Sequence, residues 1–310
     1  MADPVGRRQT SAAWVALFTA MLIWALSFIV TKDALERVSP ASLLAIRFFI
    51  GALVLVVPVA RRHGLRLQKR NLLPLALAAL LNPVAYYLLQ TTGLRLTTAS
   101  HASGISAIFP VLVFAFSVLA RRESITGRRV FGVLCGALGI GMIAATGLFE
   151  PGASVRGDLI VLLAMTCSAV QIICLKSLLE QLPAIKVLFY QCALAAVVFA
   201  SAAAVSGPPW IAGLGPKLIG ELLFLGLFSS IVAFVLHYAA LRRLPATNVA
   251  TATGLVPVLT ILFDRILFGL TPTPLKLVGV ALVLGGIVMT QSGTPVPARS
   301  ERARLPDAGG

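Results

Sequence analysis

Three pairs of residues stand at helical spacing inside long apolar runs: Trp24 with Ser27, Ser168 with Gln171, and Asn82 with Tyr86. Residues three or four apart share one face of a helix, so each pair points its polar groups in a common direction. Ser229 and Ser230 lie at a similar depth in a later run. Trp24, Ser27, Asn82, Tyr86, Ser168, Gln171 and Ser230 are therefore the candidates for a central cavity with hydrogen-bonding groups and an aromatic wall. Such a cavity suits a small amphipathic solute. The plainer reading is interhelical hydrogen bonding, which Ser and Asn commonly provide between membrane helices.

A second group carries charge or can titrate. Arg47 falls about five residues into an apolar run, roughly 7–9 Å below an interface at 1.5 Å per residue. A charge at that depth faces a cavity or a partner, or else snorkels to the surface. Asp264 is the deepest carboxylate, apart from Glu221 at the start of its run, and is a candidate for proton coupling, for pairing with Arg47 or for capping. His101 and His237 lie near opposite ends of their runs and can titrate in a proton cycle or make helix-end hydrogen bonds. With Gln90 and Gln191 these residues form the gating or coupling set. His63 sits in a basic loop and reads as solvated. Pro110 and Pro257 lie within runs, where each removes a backbone hydrogen bond and can act as a hinge.

The elements that must position these residues follow from composition. Of 310 residues, 58% are hydrophobic and only 12% charged, against roughly 25% charged in soluble domains. A bilayer-crossing helix needs about 20 apolar residues. Ten runs qualify, near 12–31, 42–60, 72–93, 99–120, 130–147, 158–178, 186–206, 219–240, 247–268 and 275–291. Pro74, Asn82 and Pro83 interrupt the third, which a membrane helix tolerates where neighbours satisfy the freed backbone groups. The fold expected is an all-α integral membrane protein of ten transmembrane helices. The first run is too long for a signal h-region and counts as a span.

The net charge of +15 sits between the runs, which points to membrane topology rather than nucleic acid. With a cytoplasmic N-terminus, 18 Lys and Arg fall on the cytoplasmic side and 6 on the other, with Arg47 and Arg265 inside runs. That bias places both termini in the cytoplasm, with flexible tails at 1–11 and 292–310, and makes the protein a multi-pass component of the cell's inner (plasma) membrane. Cys135, Cys167, Cys174 and Cys192 all lie in apolar runs without C-x-x-C spacing, so neither zinc nor a disulfide framework is indicated.

The chain also repeats itself. Trp24-Ala-Leu-Ser27…Lys32…Glu36 aligns with Ser168-Ala-Val-Gln171…Lys176…Glu180 at an offset of 144. At an offset of 147, Leu94-Arg95 aligns with Leu241-Arg242, Pro110 with Pro257, Thr126 with Thr273, Gly132 with Gly279 and Gly139 with Gly286. Ser27 then matches Gln171, Asn82 matches Ser229, and Arg47 matches Gln191. Two five-helix repeats, 12–147 and 157–291, result. An odd number of spans per repeat inverts the second copy, an architecture of secondary transporters with a midplane binding site.

The ordered motifs resemble paired EamA modules of the drug/metabolite transporter superfamily. They are Trp24, Arg47-Phe48, Gly93-Leu94-Arg95…Ala99, Pro110 and Glu123 in the first half. In the second half they are Gly157-Asp158-Leu159, Gln191, Tyr238-Ala239-Ala240-Leu241…Leu244-Pro245-Ala246, Pro257 and Gly279…Gly286. One departure is that the position matching Glu123 is Leu270. The resemblance implies a ten-helix carrier of small metabolites, often an exporter. An amino acid or similar zwitterionic, neutral or flat compound is the expected solute. A lipid or glycolipid flippase on the same scaffold is the alternative.

No enzyme is expected. H-E-x-x-H and paired intramembrane aspartates are absent, and Ser103-Gly104-Ile105-Ser106 lacks a G-x-S-x-G frame. No G-x-x-x-x-G-K loop indicates ATP drive. The expected partners are a small-molecule substrate and membrane lipids, without cofactor, metal or nucleic acid; a homodimer is left open.

Overall fold

The computed structural model describes residues 4–96, 105, 108–121, 125–145, 154–205, 215–269, 271 and 273–291. Among the described residues every regular element is a helix. The first half contains α1 (Pro4–Leu35), α2 (Pro40–His63), α3 (Lys69–Leu96), α4 (Phe109–Leu119) and α5 (Gly127–Ala145). The second contains α6 (Val155–Gln181), α7 (Ala184–Val205), α8 (Pro216–Arg243), α9 (Ala246–Thr253 continuing as Leu255–Phe268) and α10 (Pro274–Gln291). Seven of these helices, in α1, α2, α3 and α6 to α9, are long and apolar enough to cross a membrane; Phe109–Leu119 and Leu277–Thr290 are shorter apolar helices.

Local chemistry sets the ends. Ser39 caps α2 by accepting from the Ser42 backbone N–H at 3.2 Å, and Pro40 occupies the first turn, where its missing N–H costs nothing. Ser154 does the same for α6, accepting from Gly157 at 3.4 Å, with Asp158 in the first turn against the helix dipole. Pro110 also stands in the first turn of α4.

The two halves pack as exchanged copies. α2 lies along its repeat mate α7, and α5 along its mate α10. The contact of α1 with α8 is matched by that of α6 with α3, and α1 with α9 is matched by α6 with α4. The glycines aligned in the sequence make the α5–α10 crossing. A methyl group on Gly139 would lie 2.5 Å from the Gly279 carbonyl oxygen, and one on Gly286 would lie 2.5 Å from that of Gly132. Each mate meets the other's partner at the same separation, so only bare backbone fits there.

Large apolar side chains line the outside: Leu73 is 68% exposed, Val197 65% and Leu119 79%. So much apolar surface is tolerable only against lipid. The interior holds the polar residues, including Arg47, Asn82, Gln90, Ser168, Gln171, Gln191, Ser229, Ser230 and His237.

Candidate functional site

The site is built where two helices depart from α geometry at equivalent places in the repeat, α3 by a break and α8 by a continuous wide stretch. α3 widens into π-helical turns over Leu80–Ala85, and α8 does so over Leu225–Val232. The offset of 147 carries the first stretch onto the last six residues of the second. In α3, Asn82 leaves the helical region altogether (φ −153°, ψ 119°), and Pro83 has no N–H to donate. Backbone carbonyls freed by such turns must find donors elsewhere, because lipid supplies none.

The donors come from the opposite half. Gln191 on α7 gives its Nε2 hydrogen to the Asn82 carbonyl at 3.1 Å. Trp24 on α1 gives its indole hydrogen to the Ser229 carbonyl at 3.2 Å. Asn82 and Ser229 are repeat mates, so both irregular stretches receive a donor at the same residue. Side chains cross in the same way. Asn82 Nδ2 donates to Ser168 Oγ on α6 at 3.1 Å. Arg47 on α2 donates through Nη2 to Ser229 Oγ at 2.9 Å and through Nε to Ser230 Oγ at 2.6 Å. Trp24 mates with Ser168 and Arg47 with Gln191, so each half reaches the other's irregular stretch with the same pair of positions.

An aromatic lining surrounds these bonds. Arg47 also donates to the Tyr87 hydroxyl at 3.1 Å, and its guanidinium carbon lies 4.7 Å from that ring's centre. Phe48 meets Tyr87 edge-on with centroids 5.4 Å apart. Trp24 packs against Phe234 and His237, each at 5.1 Å. Tyr238 donates to Gln191 Oε1 at 2.6 Å, and Gln171 lies buried beside its hydroxyl. Two buried atoms, Asn82 Oδ1 and His237 Nδ1, have no hydrogen-bond partner among the described residues.

The structure thus brings Trp24, Asn82, Ser168, Gln171, Gln191, Ser230, Arg47 and His237 into one interior region. Ser27 is buried, but its hydroxyl bonds to the Trp24 carbonyl of its own helix at 2.8 Å. Gln90 donates to the Tyr86 hydroxyl at 2.8 Å, one helical turn back. Arg47 does not reach the surface. The side chain is 3% exposed and turns inward, because hydroxyls and a ring await it there. His101 lies outside the described residues, as do the side chains of Asp264 and Pro257, although their backbone belongs to α9.

Residue spacing alone misses Tyr87. The pairing of Asn82 with Tyr86 assumes an unbroken helix, whereas the chain leaves helical geometry at Asn82, so regular spacing does not carry across that residue. It is Tyr87, five after Asn82, that reaches Arg47. Tyr238 is missed as a site residue as well, although it stands in the aligned motif Tyr238-Ala239-Ala240-Leu241.

At one end of the bundle four charges tie the halves together. Arg37, just beyond α1, pairs with Asp33 of α1 and with Glu221 of α8, the latter at 2.8 Å. Lys217 of α8 closes the circuit to Asp33 at 2.9 Å and Glu221 at 3.9 Å. Partial desolvation works against the Arg37 cation; the Glu221 and Asp33 carboxylates outweigh it, and its pKa stands above the ordinary arginine value. A separate apolar pocket of about 270 Å³, lined by Trp14, Leu17, Phe18, Met21, Ala252, Leu255 and Ile287, contains none of the buried polar set.

Comparison with known proteins agrees with this architecture. The model of the EamA-like transporter family matches twice, over residues 11–145 and 155–291. An "Uncharacterized transporter" of Archaeoglobus fulgidus is 26% identical over 91% of this chain and 98% of its own. The transporter YvbV of Bacillus subtilis is 29% identical over 92% and 94%. A "Probable terminal-alkyne amino-acid exporter" of Streptantibioticus cattleyicolor is 25% identical over 93% and 95%. A solved crystal structure shares the fold with a TM-score of 0.76 at 22% identity, covering 90% of this chain and 96% of that one. Two consecutive matches spanning nearly the whole chain, on a fold whose halves pack as exchanged copies, make this multi-pass membrane protein a member of the EamA-like transporter family.

Proposed function

We propose that the protein is a secondary transporter in the cell's inner (plasma) membrane. It moves a small amphipathic metabolite, such as an amino acid, by alternating access between two inverted five-helix repeats with cytoplasmic termini. One observation carries this reading: each half donates to and contacts the irregular stretch of the other half's helix, α3 or α8, at repeat-equivalent positions. Interrupted helices at the repeat interface are where secondary transporters place their substrate. Rocking one half against the other exchanges these cross-half bonds, and solute groups can replace them. The relative named as an amino-acid exporter supports this solute class and outward direction.

In this orientation the Asp33–Arg37–Lys217–Glu221 cluster seals the outer end. The test is counterflow of radiolabelled amino acids and related metabolites into proteoliposomes, with Trp24→Ala and Gln171→Ala alongside wild type. Saturable exchange reduced at least about tenfold in both variants is the expected result. Absence of exchange across a broad soluble panel, with folded protein, would sink the metabolite carrier and leave lipid-linked substrates for a flippase.

A further inference from the structure

We infer that the Arg47 guanidinium docks a carboxylate of the transported metabolite. Such a role presupposes the carrier proposed above and names the chemical class its site selects. Arg47 is buried in the interior of a membrane protein, where a cation ordinarily has a counter-charge. Its partners among the described residues are all neutral: the hydroxyls of Ser229, Ser230 and Tyr87 and the faces of Tyr87 and Phe48. No carboxylate pairs with it among the described residues.

Donor counting points the same way. A guanidinium has five N–H groups. Nε and Nη2 account for three bonds, and neither hydrogen of Nη1 meets an acceptor among the described residues. The three hydroxyls that now accept from Arg47 can each turn an O–H toward an incoming carboxylate, so the pocket gains donors when the anion arrives. Arg47 also sits where the first half grips the irregular stretch of α8 in the second. A carboxylate that competes for Nη2 loosens the Ser229 contact and couples binding to movement of α8. The remaining surroundings, Tyr87 and Phe48, are aromatic and suit an apolar portion of the same solute.

The experiment is counterflow of labelled L-leucine, L-phenylalanine and L-threonine into proteoliposomes. Competitors are the same amino acids, their carboxamides, their decarboxylated amines and the deaminated acids 3-phenylpropionate and 4-methylvalerate. Wild type is expected to prefer carboxylates over amides and amines by on the order of 100-fold, the usual scale for a buried charge pair. Arg47→Gln should reduce that preference to less than about fivefold, and Arg47→Lys, which keeps the charge but loses the fork, should fall between. Amides and amines that compete as well as the acids on wild type overturn the assignment. Arg47 is then a helix staple, while the carrier itself stands. The wild-type comparison decides this even if Arg47→Gln fails to fold. Silence with these amino acids and across the broad soluble panel, with folded protein, fails the carrier reading, and the carboxylate site falls with it.

Discussion

At the scale of single residues, the buried polar side chains differ in what their removal should cost. Trp24 and Gln191 each donate to a backbone carbonyl in the irregular stretch of a helix of the opposite half. Trp24→Phe keeps an aromatic ring but deletes the indole N–H together with part of the ring system, so the Ser229 carbonyl loses this donor. A loss of about 1–3 kcal/mol is expected from such a group. Gln191→Leu should cost at least as much, because the Tyr238 hydroxyl also loses the acceptor it donates to. Ser27→Ala should cost less than about 1 kcal/mol, since its hydroxyl bonds to a carbonyl of its own helix. Thermal unfolding in detergent ranks the three. If Ser27→Ala were as damaging as Trp24→Phe, the cross-half caps would hold no special place in stability.

At the scale of elements, the two π stretches and the two glycine crossings do opposite jobs. The π turns of α3 and α8 loosen the backbone where side chains of the other half take over its hydrogen bonds. The α5–α10 pair is tight. Gly139→Ala or Gly286→Ala pushes a methyl group to 2.5 Å from a carbonyl oxygen. Backbone cannot move aside as a side chain can, so each should destabilise by about 1–3 kcal/mol. Gly141→Ala on the same helix has nothing within 4 Å of the new methyl and should be neutral or gain up to about 1 kcal/mol from helix propensity. Equal effects at Gly139 and Gly141 in thermal unfolding would contradict the close crossing. These elements leave α5 and α10 as scaffold, while α1, α2, α6 and α7 carry the groups that reach the irregular stretches.

For the whole molecule, the proposed cycle requires the charged cluster at the outer end to open. Asp33 and Arg37 belong to the first half, Lys217 and Glu221 to the second, so any rocking that opens that end separates them. With the native cysteines replaced, Asp33→Cys and Lys217→Cys joined by a short thiol-reactive linker should abolish counterflow. Either single cysteine, treated with the same reagent, should retain it. Undiminished exchange in the linked protein would mean that this end does not gate the pathway.

The all-helical membrane fold, the family and most of the interior polar residues were legible in the sequence, because lipid imposes long apolar runs and the repeat preserves residue identity at fixed offsets. Trp24, Asn82, Ser168 and Gln191 declared themselves as polar groups in such runs, and Gly132, Gly139, Gly279 and Gly286 as aligned small residues. Which partner each group takes was not legible, since hydrogen bonds across 109 to 205 residues depend on how the helices lie side by side. The inward turn of Arg47 and the choice of Tyr87 over Tyr86 were decided only in three dimensions. The first depends on hydroxyls contributed by α8. The second depends on the break of α3 at Asn82, a change in backbone geometry that α-helical spacing leaves out.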